Sequence, residues 1–440
     1  MIDDPARRRP DPSGSARARP VSAGSPGEPL AQGRGSGPAA PLPFDEAQAR
    51  LLAAVVAPGT VESCPLADAA GRVLAESINA RLDLPPADNS AMDGYAVRHA
   101  DVSIGQALPV GPAHFAGQVP PPLPPHQAAR IFTGGLIPEG ADTVVIQEDC
   151  DAGAGTVAVR ELTQPGANIR RRGEDVAAGT MLLAAGAVLG AGALGLLSAQ
   201  GLATLPVRPR LKVAVLTTGD ELVAPGRPLP PGAIYESNGT LLRAALAGLG
   251  CEVVAVSHAP DDLRATREAL ADLASRADLV VSAGGVSVGE RDLIKPALRE
   301  LGGDLDLWKV RMKPGKPVAL GRVGSVPVLG LPGNPVSAYV VLAVLASPMI
   351  RYMQGRTETR PRVSRAVLRA SRDYLGGREE FLRVRESAEG TVLAVHPHPR
   401  QGSGILHGLA WADGVARIPA GLKHSDGDEV DYYRFADWLG

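Results

Sequence analysis

The chain has 440 residues, of which 45% are hydrophobic, 21% are charged and 3% are aromatic. Its formal net charge of -2 at pH 7 argues against a protein that binds nucleic acid or another polyanion. This length predicts about three or four domains. The 52 glycines and 40 prolines predict many short strands and loops.

The cysteines and the apolar segments indicate the cellular compartment in which the protein is expected. Cys64, Cys150 and Cys251 are widely spaced and form no Cys-x-x-Cys motif, which favours reduced thiols. The longest apolar run, from Val336 to Ile350, is shorter than a membrane span and contains Pro348. The N-terminus has arginines but lacks the apolar segment of a secretory signal. We therefore expect a soluble, cytoplasmic protein.

The N-terminal half divides into three kinds of segment. Residues 1–40 are rich in Pro, Gly, Ser, Ala and Arg, cannot bury enough surface to fold, and are predicted to be a disordered tail. Residues 44–57 have the acidic first turn and the Pro-Gly stop of a helix. Residues 60–207 contain short apolar runs broken by Pro and Gly, so this region is predicted to be mainly β.

From residue 210 onward, strand patterns alternate with helix patterns. The alternation predicts a doubly wound α/β domain, with a parallel or mostly parallel sheet and helices on both faces. After residue 360 the pattern changes to alternating polar and apolar residues, which predicts a small all-β domain. The predicted strands of the α/β domain are 211–216, 252–256, 279–281, 305–311, 318–320 and 326–329.

Five unusual loops fall where ligands bind in such a fold, beyond the C-terminal ends of the strands. In one of them, Gly284 and Gly285 would let the backbone approach a ligand, and the amides of the loop and of the next helix predict an anion site. The loops are residues 217–222, 257–262, 282–292, 313–317 and 331–335.

Charged residues of both signs occur in these loops. Lys309, Lys313 and Lys316 suit a phosphate or another oxyanion, although such a cluster is also typical of a solvated surface. Asp261 and Asp292 suit helix caps equally well, and the helix predicted from Leu263 has either Asp261 or Asp262 at its cap. Grouped at one edge, the acids would bind Mg²⁺ and position a water molecule. The acids are Asp220, Glu221, Asp261, Glu290 and Asp292.

Six motifs together resemble one family, the molybdopterin molybdenumtransferases or MoeA proteins, which are related to the E domain of gephyrin. The similarity runs from about residue 42 to the C-terminus. The motifs are Met92-Asp-Gly-Tyr-Ala96, Arg171-Arg-Gly-Glu-Asp175, Thr218-Gly-Asp-Glu-Leu222, Gly284-Gly-Val-Ser-Val-Gly289, Lys313-Pro-Gly-Lys-Pro317 and Leu331-Pro-Gly-Asn-Pro-Val-Ser337.

The resemblance implies a subunit with four parts after the tail. One part is a linking domain built from two separate segments, and the last is a β-barrel. The implied limits are 41–84 with 176–207 for the linking domain, 85–175 for a β-rich domain, 208–358 for a MogA-like α/β domain and 359–440 for the barrel.

The resemblance also implies a homodimer whose active site is shared between the α/β domain of one subunit and the β-rich domain of the other. The implied reaction inserts molybdate into the dithiolene of adenylyl-molybdopterin with Mg²⁺ and releases AMP. Implied partners are the molybdopterin adenylyltransferase and acceptor molybdoenzymes, without nucleic acid or membrane.

Site residues are carried over by motif. The catalytic acids are Asp93, Asp175, Glu221, Asp261 and Asp292, with Glu221 and Asp292 as metal ligands. The implied substrate-binding residues are Thr133, Gly284, Gly285, Ser287, Lys309, Lys313, Lys316, Pro332, Pro335, Arg383 and Ser403.

Two other functions are consistent with parts of the pattern. A molybdopterin adenylyltransferase shares the α/β domain, but that enzyme consists essentially of this domain, so the flanking β domains argue against it. A scaffold protein, as gephyrin also is, would need additional segments, and only residues 1–40 could serve.

Overall fold

The computed structural model describes residues 40–286, 292–303 and 305–439. At its centre is a six-stranded sheet. In chain order its strands are β1 Lys212–Thr218, β2 Glu252–Ala259, β3 Leu279–Ala283, β4 Leu305–Lys309, β5 Pro317–Val323 and β6 Val326–Leu331. The strand order in the sheet is β2-β1-β3-β6-β5-β4. β2, β1, β3 and β6 are parallel, whereas β5 and β4 are antiparallel to their neighbours, which confirms the mostly parallel sheet.

Helices cover both faces of this sheet, as predicted. Leu263–Ala274 and Ile294–Glu300 pack on one face around Leu270 and Leu298. Asn238–Gly248 and a long helix from Pro335 pack on the other. Because the central strands are buried on both sides, they appear in the sequence as continuous apolar runs rather than alternating ones.

The long helix is strongly apolar and runs from Pro335 to Met353. It consists of Pro335–Val340, a π-helical segment Val341–Ala346 and Ser347–Met353, and it begins with a first-turn proline. By length and composition, this 19-residue helix could cross a membrane, but 89% of its most apolar window is buried inside the protein. It is therefore a core helix.

The linking region is formed by strands that are distant in sequence. Glu62–Pro65 pairs with Thr204–Val207, and Ile78–Asn79 pairs with Met181–Leu183. These strands and the helix Ala191–Ala199 enclose a core of their own. The two segments thus fold against each other, while the predicted domain limits stay a prediction.

The first helix, Phe44–Ala53, packs outside the core of the linking region. Phe44 and Leu51 belong to the core of the α/β domain, and Gln48 Nε2 donates a hydrogen bond of 2.9 Å to Val344 O in the long helix. No local sequence pattern indicates this packing, because it depends on a contact between residues 296 positions apart.

The β-rich domain contains a six-stranded sheet with a small apolar cluster on each face. Tyr95 and Val97 contribute to one cluster and Ala96 to the other, as side-chain alternation along a strand requires. A two-stranded ribbon joins Asn89–Ser90 to Ile169–Arg170. The strands are Gly94–Val97, Ala107–His114, Ala128–Ile131, Thr143–Ile146, Cys150–Ala152 and Thr156–Val159.

The C-terminal domain is a closed β-barrel, as predicted. The strand Glu379–Glu389 pairs on one side with Val392–Pro397 and on the other with Gly414–Ile418, which closes the ring. Leu382 and Tyr432 lie in its core. The remaining barrel strands are Ser364–Leu368 and Glu429–Arg434, and the helices are His407–Trp411 and Phe435–Leu439.

Candidate functional site

The strand registers place the five predicted loops at one edge of the central sheet. β1 ends at Thr218, directly opposite Ala259 at the end of β2. β3 ends at Ala283, which lies opposite Thr217, one residue before the end of β1. β6 ends at Leu331, directly opposite the end of β3. The antiparallel β5 begins at Pro317, so the loop before it lies at the same edge. The predicted convergence of the loops is confirmed.

The loop after β3 lies close to Thr218 at the end of β1, to Leu331 at the end of β6 and to Ile294 of the next helix. Gly284 N donates to Leu331 O at 3.1 Å. Gly284 has a φ of +93°, and a Cβ there would lie 3.0 Å from Thr218 Oγ1. At Gly285, with a φ of +67°, a Cβ would lie 2.8 Å from Ile294 Cγ1. Only glycine fits these positions without a shift of the loop.

Two predicted residues of this loop, Ser287 and Glu290, lie outside the described residues. The anion cradle expected from their amides therefore stays a prediction. Asp292, which follows them, is half-buried and precedes Leu293, the cap position of the next helix. Leu293 makes no side-chain cap bond, and capping by Asp292 stays a prediction.

The loops after β1 and β2 are joined through their acidic residues. Asp261 N donates to Asp220 Oδ1 at 3.0 Å. The neighbouring Asp262 is the helix cap, and its carboxylate accepts a hydrogen bond of 2.7 Å from Ala265 N. Of the two residues predicted as the cap of this helix, Asp262 is the cap, and the half-buried Asp261 remains a candidate for chemistry.

Glu221 lies at the surface of the same edge. Its carboxylate folds back over Gly219, where an added Cβ would come within 2.5 Å of Glu221 Oε2. Gly219 has a φ of +142°. A side chain at position 219 would therefore both strain the backbone and displace this carboxylate.

The three lysines surround the start of β5. Lys309 ends β4 directly opposite Pro317, and Lys313 and Lys316 are exposed in the loop between them. Lys313 Nζ forms an ion pair of 2.7 Å with Glu380 Oε1 in the barrel. The barrel thus reaches the loop edge of the α/β domain.

The loop after β6 makes two further contacts. Asn334 Nδ2 donates to Ser403 Oγ of the barrel at 3.2 Å. Asn238 Nδ2 donates to Gly333 O at 2.7 Å. Pro332 is buried beneath the loop and Pro335 begins the long helix, in agreement with the predicted stiff turn.

Sequence reasoning missed Asn238, the first residue of its helix. The side chain is only 8% exposed, and among the contacts of the described residues its Oδ1 has no hydrogen-bond partner. A signal was present, because the polar run Glu236-Ser-Asn238 directly precedes an apolar helix. A buried, half-satisfied amide at a ligand edge is typical of a position completed by a bound molecule.

A cavity of about 640 Å³ lies near the start of this helix, between the α/β domain and the barrel. Leu406 is the barrel residue in its wall. The other lining residues are Pro225, Gly226, Tyr235, Glu236, Ser237, Thr240 and Leu241.

Arg383 holds the barrel loop that carries Ser403. The arginine is 1% exposed, and its guanidinium donates to Ile405 O at 3.0 Å, to Arg400 O at 2.8 Å and to Gln401 Oε1 at 3.3 Å. Burial lowers the pKa of Arg383. In this geometry Arg383 positions Ser403, and the predicted contact of Arg383 with substrate stays a prediction.

Asp93 and Thr133 meet in the β-rich domain. Asp93 Oδ1 accepts hydrogen bonds from Thr133 N at 2.8 Å and from Thr133 Oγ1 at 2.7 Å. These bonds from Thr133 lower the pKa of Asp93. The carboxylate is thus ionised at neutral pH and fixed in orientation, as a carboxylate that positions a reacting group must be.

Asp175 is exposed at the surface, with its main-chain N bonded to Leu84 O at 2.9 Å. The arginines before it pair with acids from another segment. Arg171 forms an ion pair of 2.7 Å with Asp88, and Arg172 one of 2.6 Å with Asp83. The two partners of each pair are 83 and 89 residues apart, so no local sequence pattern identifies them.

The predicted metal site has no complete ligand set in the described part of the chain. Within residues 40–286, 292–303 and 305–439, no group of three or more His, Cys, Asp or Glu side chains could hold a metal ion. Glu221 and Asp292 as metal ligands therefore stay a prediction.

Comparison with known protein families decides the classification. The chain matches the MoeA N-terminal region, domains I and II, over residues 42–201. It matches a probable molybdopterin-binding domain over residues 214–352 and the MoeA C-terminal region, domain IV, over residues 365–435. It belongs to the molybdopterin molybdenumtransferase family.

Curated relatives agree with this family. Molybdopterin molybdenumtransferase 2 of Mycobacterium tuberculosis is 42% identical over 373 residues, which covers 81% of this chain and 90% of the relative. The molybdopterin molybdenumtransferase of Haemophilus influenzae is 42% identical over 319 residues, covering 72% of this chain and 79% of the relative.

Solved structures confirm the fold of a molybdenumtransferase. A molybdopterin biosynthesis MoeA protein of Pyrococcus horikoshii aligns with a TM-score of 0.75 and 32% identity, over 90% of this chain and 99% of that one. A second structure of a MoeA protein from this organism gives a TM-score of 0.77 at 28% identity, over 89% and 99%. The multidomain arrangement predicted from the motifs is thus shown.

Proposed function

We propose that this molybdenumtransferase inserts molybdate into the dithiolene of adenylyl-molybdopterin and releases AMP. Family membership supports a transferase of molybdenum cofactor biosynthesis. The observation that carries the proposal is the meeting of five loops at one sheet edge, because loops that carry lysines and loops that carry carboxylates occur along the same edge. Such an edge suits two anionic substrates and a divalent cation.

The lysines and the glycine loop would bind the anionic groups. Lys309, Lys313 and Lys316 offer ammonium donors for molybdate and for the phosphates of the adenylylated pterin. Gly284 and Gly285 allow the phosphates to approach the backbone. Binding both anions at one edge would bring molybdate close to the dithiolene and supply the proximity that the transfer requires.

The donor set is compatible with Mg²⁺. Glu221 and Asp292 follow the neighbouring strands β1 and β3 and provide the oxygen ligands that Mg²⁺ prefers. The described residues lack a group of three acidic or histidine side chains, which fits an ion held by one or two carboxylates and completed by substrate phosphates. When bound, Mg²⁺ would polarise the phosphoryl oxygens and favour release of AMP.

A homodimer with shared active sites would explain why some of the implied site residues lie in the β-rich domain. Asp93, Thr133 and Asp175 belong to the β-rich domain and are at least partly exposed. We place them against the α/β edge of the partner subunit, in a cytoplasmic enzyme that receives substrate from an adenylyltransferase and serves molybdoenzyme acceptors. No nucleic acid or membrane takes part.

The activity is tested by mixing the purified protein with adenylyl-molybdopterin, molybdate and Mg²⁺ and measuring AMP. We expect AMP release that depends on molybdate. Asp261→Asn should abolish turnover, whereas the matched control Asp262→Asn should retain it, because asparagine also caps a helix. Absence of molybdate-dependent AMP from the wild-type enzyme would refute the proposal.

The shared site is tested with two inactive variants, Asp93→Ala and Glu221→Ala. A heterodimer of the two has one site in which both the β-rich and the α/β halves are intact. If half of the dimers in a re-equilibrated mixture are heterodimers, each with one intact site of two, about a quarter of the wild-type activity should return. A mixture as inactive as its components, with heterodimers shown by mass spectrometry, would exclude sharing between subunits.

A further inference from the structure

A strand contact ties the Lys313 loop to the barrel. Met312–Lys313 pairs in parallel with the start of the barrel strand Glu379–Glu389, with Lys313 opposite Glu380. Glu379 N also donates to Arg311 O at 2.9 Å. The position of this loop is therefore set by the barrel as well as by its own domain.

The ion pair between Lys313 and Glu380 is asymmetric in its burial. The Glu380 side chain is 12% exposed and that of Lys313 is 48% exposed, with 2.7 Å between Nζ and Oε1. The Glu380 carboxylate is thus largely buried where the barrel contacts the loop, whereas the Lys313 ammonium reaches the open edge of the loops. An ammonium has three donors, and the bond to Glu380 uses one of them.

The other side of the loop is also fixed. Gly315 is buried with a φ of +102°, and a Cβ there would overlap Val341 Cγ2 of the long helix. The loop therefore has contacts with the helix on one side and with Glu380 on the other. This support leaves the lysine head group little freedom to move away from the edge.

The adjacent acid, Glu379, has a different partner. Its carboxylate pairs with Arg417 at 2.6 Å, on the opposite face of the strand, as side-chain alternation requires. Two consecutive glutamates in one strand therefore contact different cations, and Glu379 does not contact the lysine. Glu379 provides a matched control for the charge and the strand position of Glu380.

We infer that Glu380 is a positioning residue that holds the Lys313 ammonium at the loop edge, ready to bind a tetrahedral oxyanion. The inference rests on the proposed function, which supplies two such anions, molybdate and the phosphate of adenylyl-molybdopterin. A lysine already held in place loses less freedom when the anion binds, so the anion binds more tightly. Glu380 acts through Lys313 and does not itself contact the substrate.

The kinetic test compares Glu380→Ala, Glu380→Gln and Glu379→Ala in the AMP-release assay. Glu380→Ala should raise the KM for one anion about tenfold and change kcat less than about twofold. Tenfold corresponds to about 1.4 kcal/mol, which is of the order of the rotamer freedom that one lysine side chain loses when it is fixed. Glu380→Gln should recover much of this KM because its amide oxygen still accepts a bond. An increase in the KM for molybdate rather than for adenylyl-molybdopterin identifies the anion.

A second readout needs no turnover. Acylation of Lys313 by an amine reagent, followed by peptide mass spectrometry, should be about threefold faster in Glu380→Ala than in the wild type and unchanged in Glu379→Ala. Unchanged Lys313 reactivity and unchanged KM values in Glu380→Ala would overturn the inference. An inactive wild-type enzyme with the expected Lys313 reactivities would refute the proposed function while leaving the ion pair's role in place.

Discussion

Replacing Arg383 tests whether this buried residue supports the site or binds substrate. In Arg383→Met the side chain keeps much of its apolar volume, but the bonds to Arg400 O, Gln401 Oε1 and Ile405 O are lost. A hydrogen bond to a charged group contributes about 1.5–3 kcal/mol. Taking the lower value for each of the three bonds, the free energy of unfolding should fall by about 4.5 kcal/mol.

Urea unfolding of the full chain, followed by tryptophan fluorescence, measures this change. Arg383→Lys retains the charge but makes fewer bonds to the loop, so it should lose about half as much stability. Activity of both variants should fall, because Ser403 loses its support. A loss of activity with less than about 1 kcal/mol change in stability would refute a positioning role and favour direct substrate contact.

Other predictions concern the β-rich domain and the thiols. Thr133→Val should raise the pKa of Asp93, measured by NMR titration, because the hydroxyl bond is lost. Since the folded pKa of Asp93 is lowered, its stabilising contribution is present above the ordinary aspartate pKa of 3.8 and is lost as the pH falls from there through the lowered pKa. Burial raises the pKa of Cys251 to about 12 and that of Cys150 to about 11, so iodoacetamide at pH 8 should label neither thiol quickly. Gly94→Ala should prevent folding of the β-rich domain, seen by circular dichroism, because its Cβ would overlap a main-chain oxygen of the neighbouring strand.

The central sheet could be predicted from the sequence because its signals are local. A strand such as Lys212–Thr218 is an apolar run in the sequence and is buried in the structure. Once the strands are parallel, their C-terminal ends must lie at one edge, so the convergence of the five loops follows from topology alone. No side-chain contact was needed for that step.

Contacts between domains could not be predicted in the same way. Lys313 and Glu380 are 67 residues apart, and Asn334 and Ser403 are 69 apart. Neither pair follows from a periodic pattern, because both depend on how the barrel packs on the α/β domain. The role of Asp262 as the cap, rather than Asp261, likewise depends on where the helix begins, which a sequence pattern locates only within a few residues.

The docking of the barrel is itself held by residues next to the site. Arg417 of the barrel pairs with Glu379 at 2.6 Å and with Asp45 of the first helix at 2.9 Å, and its guanidinium lies 4.9 Å from the Phe44 ring centroid. Arg417 still contacts Asp45 and the Phe44 ring when the Glu379 carboxylate is removed, so we expect the barrel, and with it Glu380, to keep its position in Glu379→Ala. The barrel therefore has two roles at this edge, because the strand that fastens it to the α/β domain also carries the carboxylate that orients the lysine.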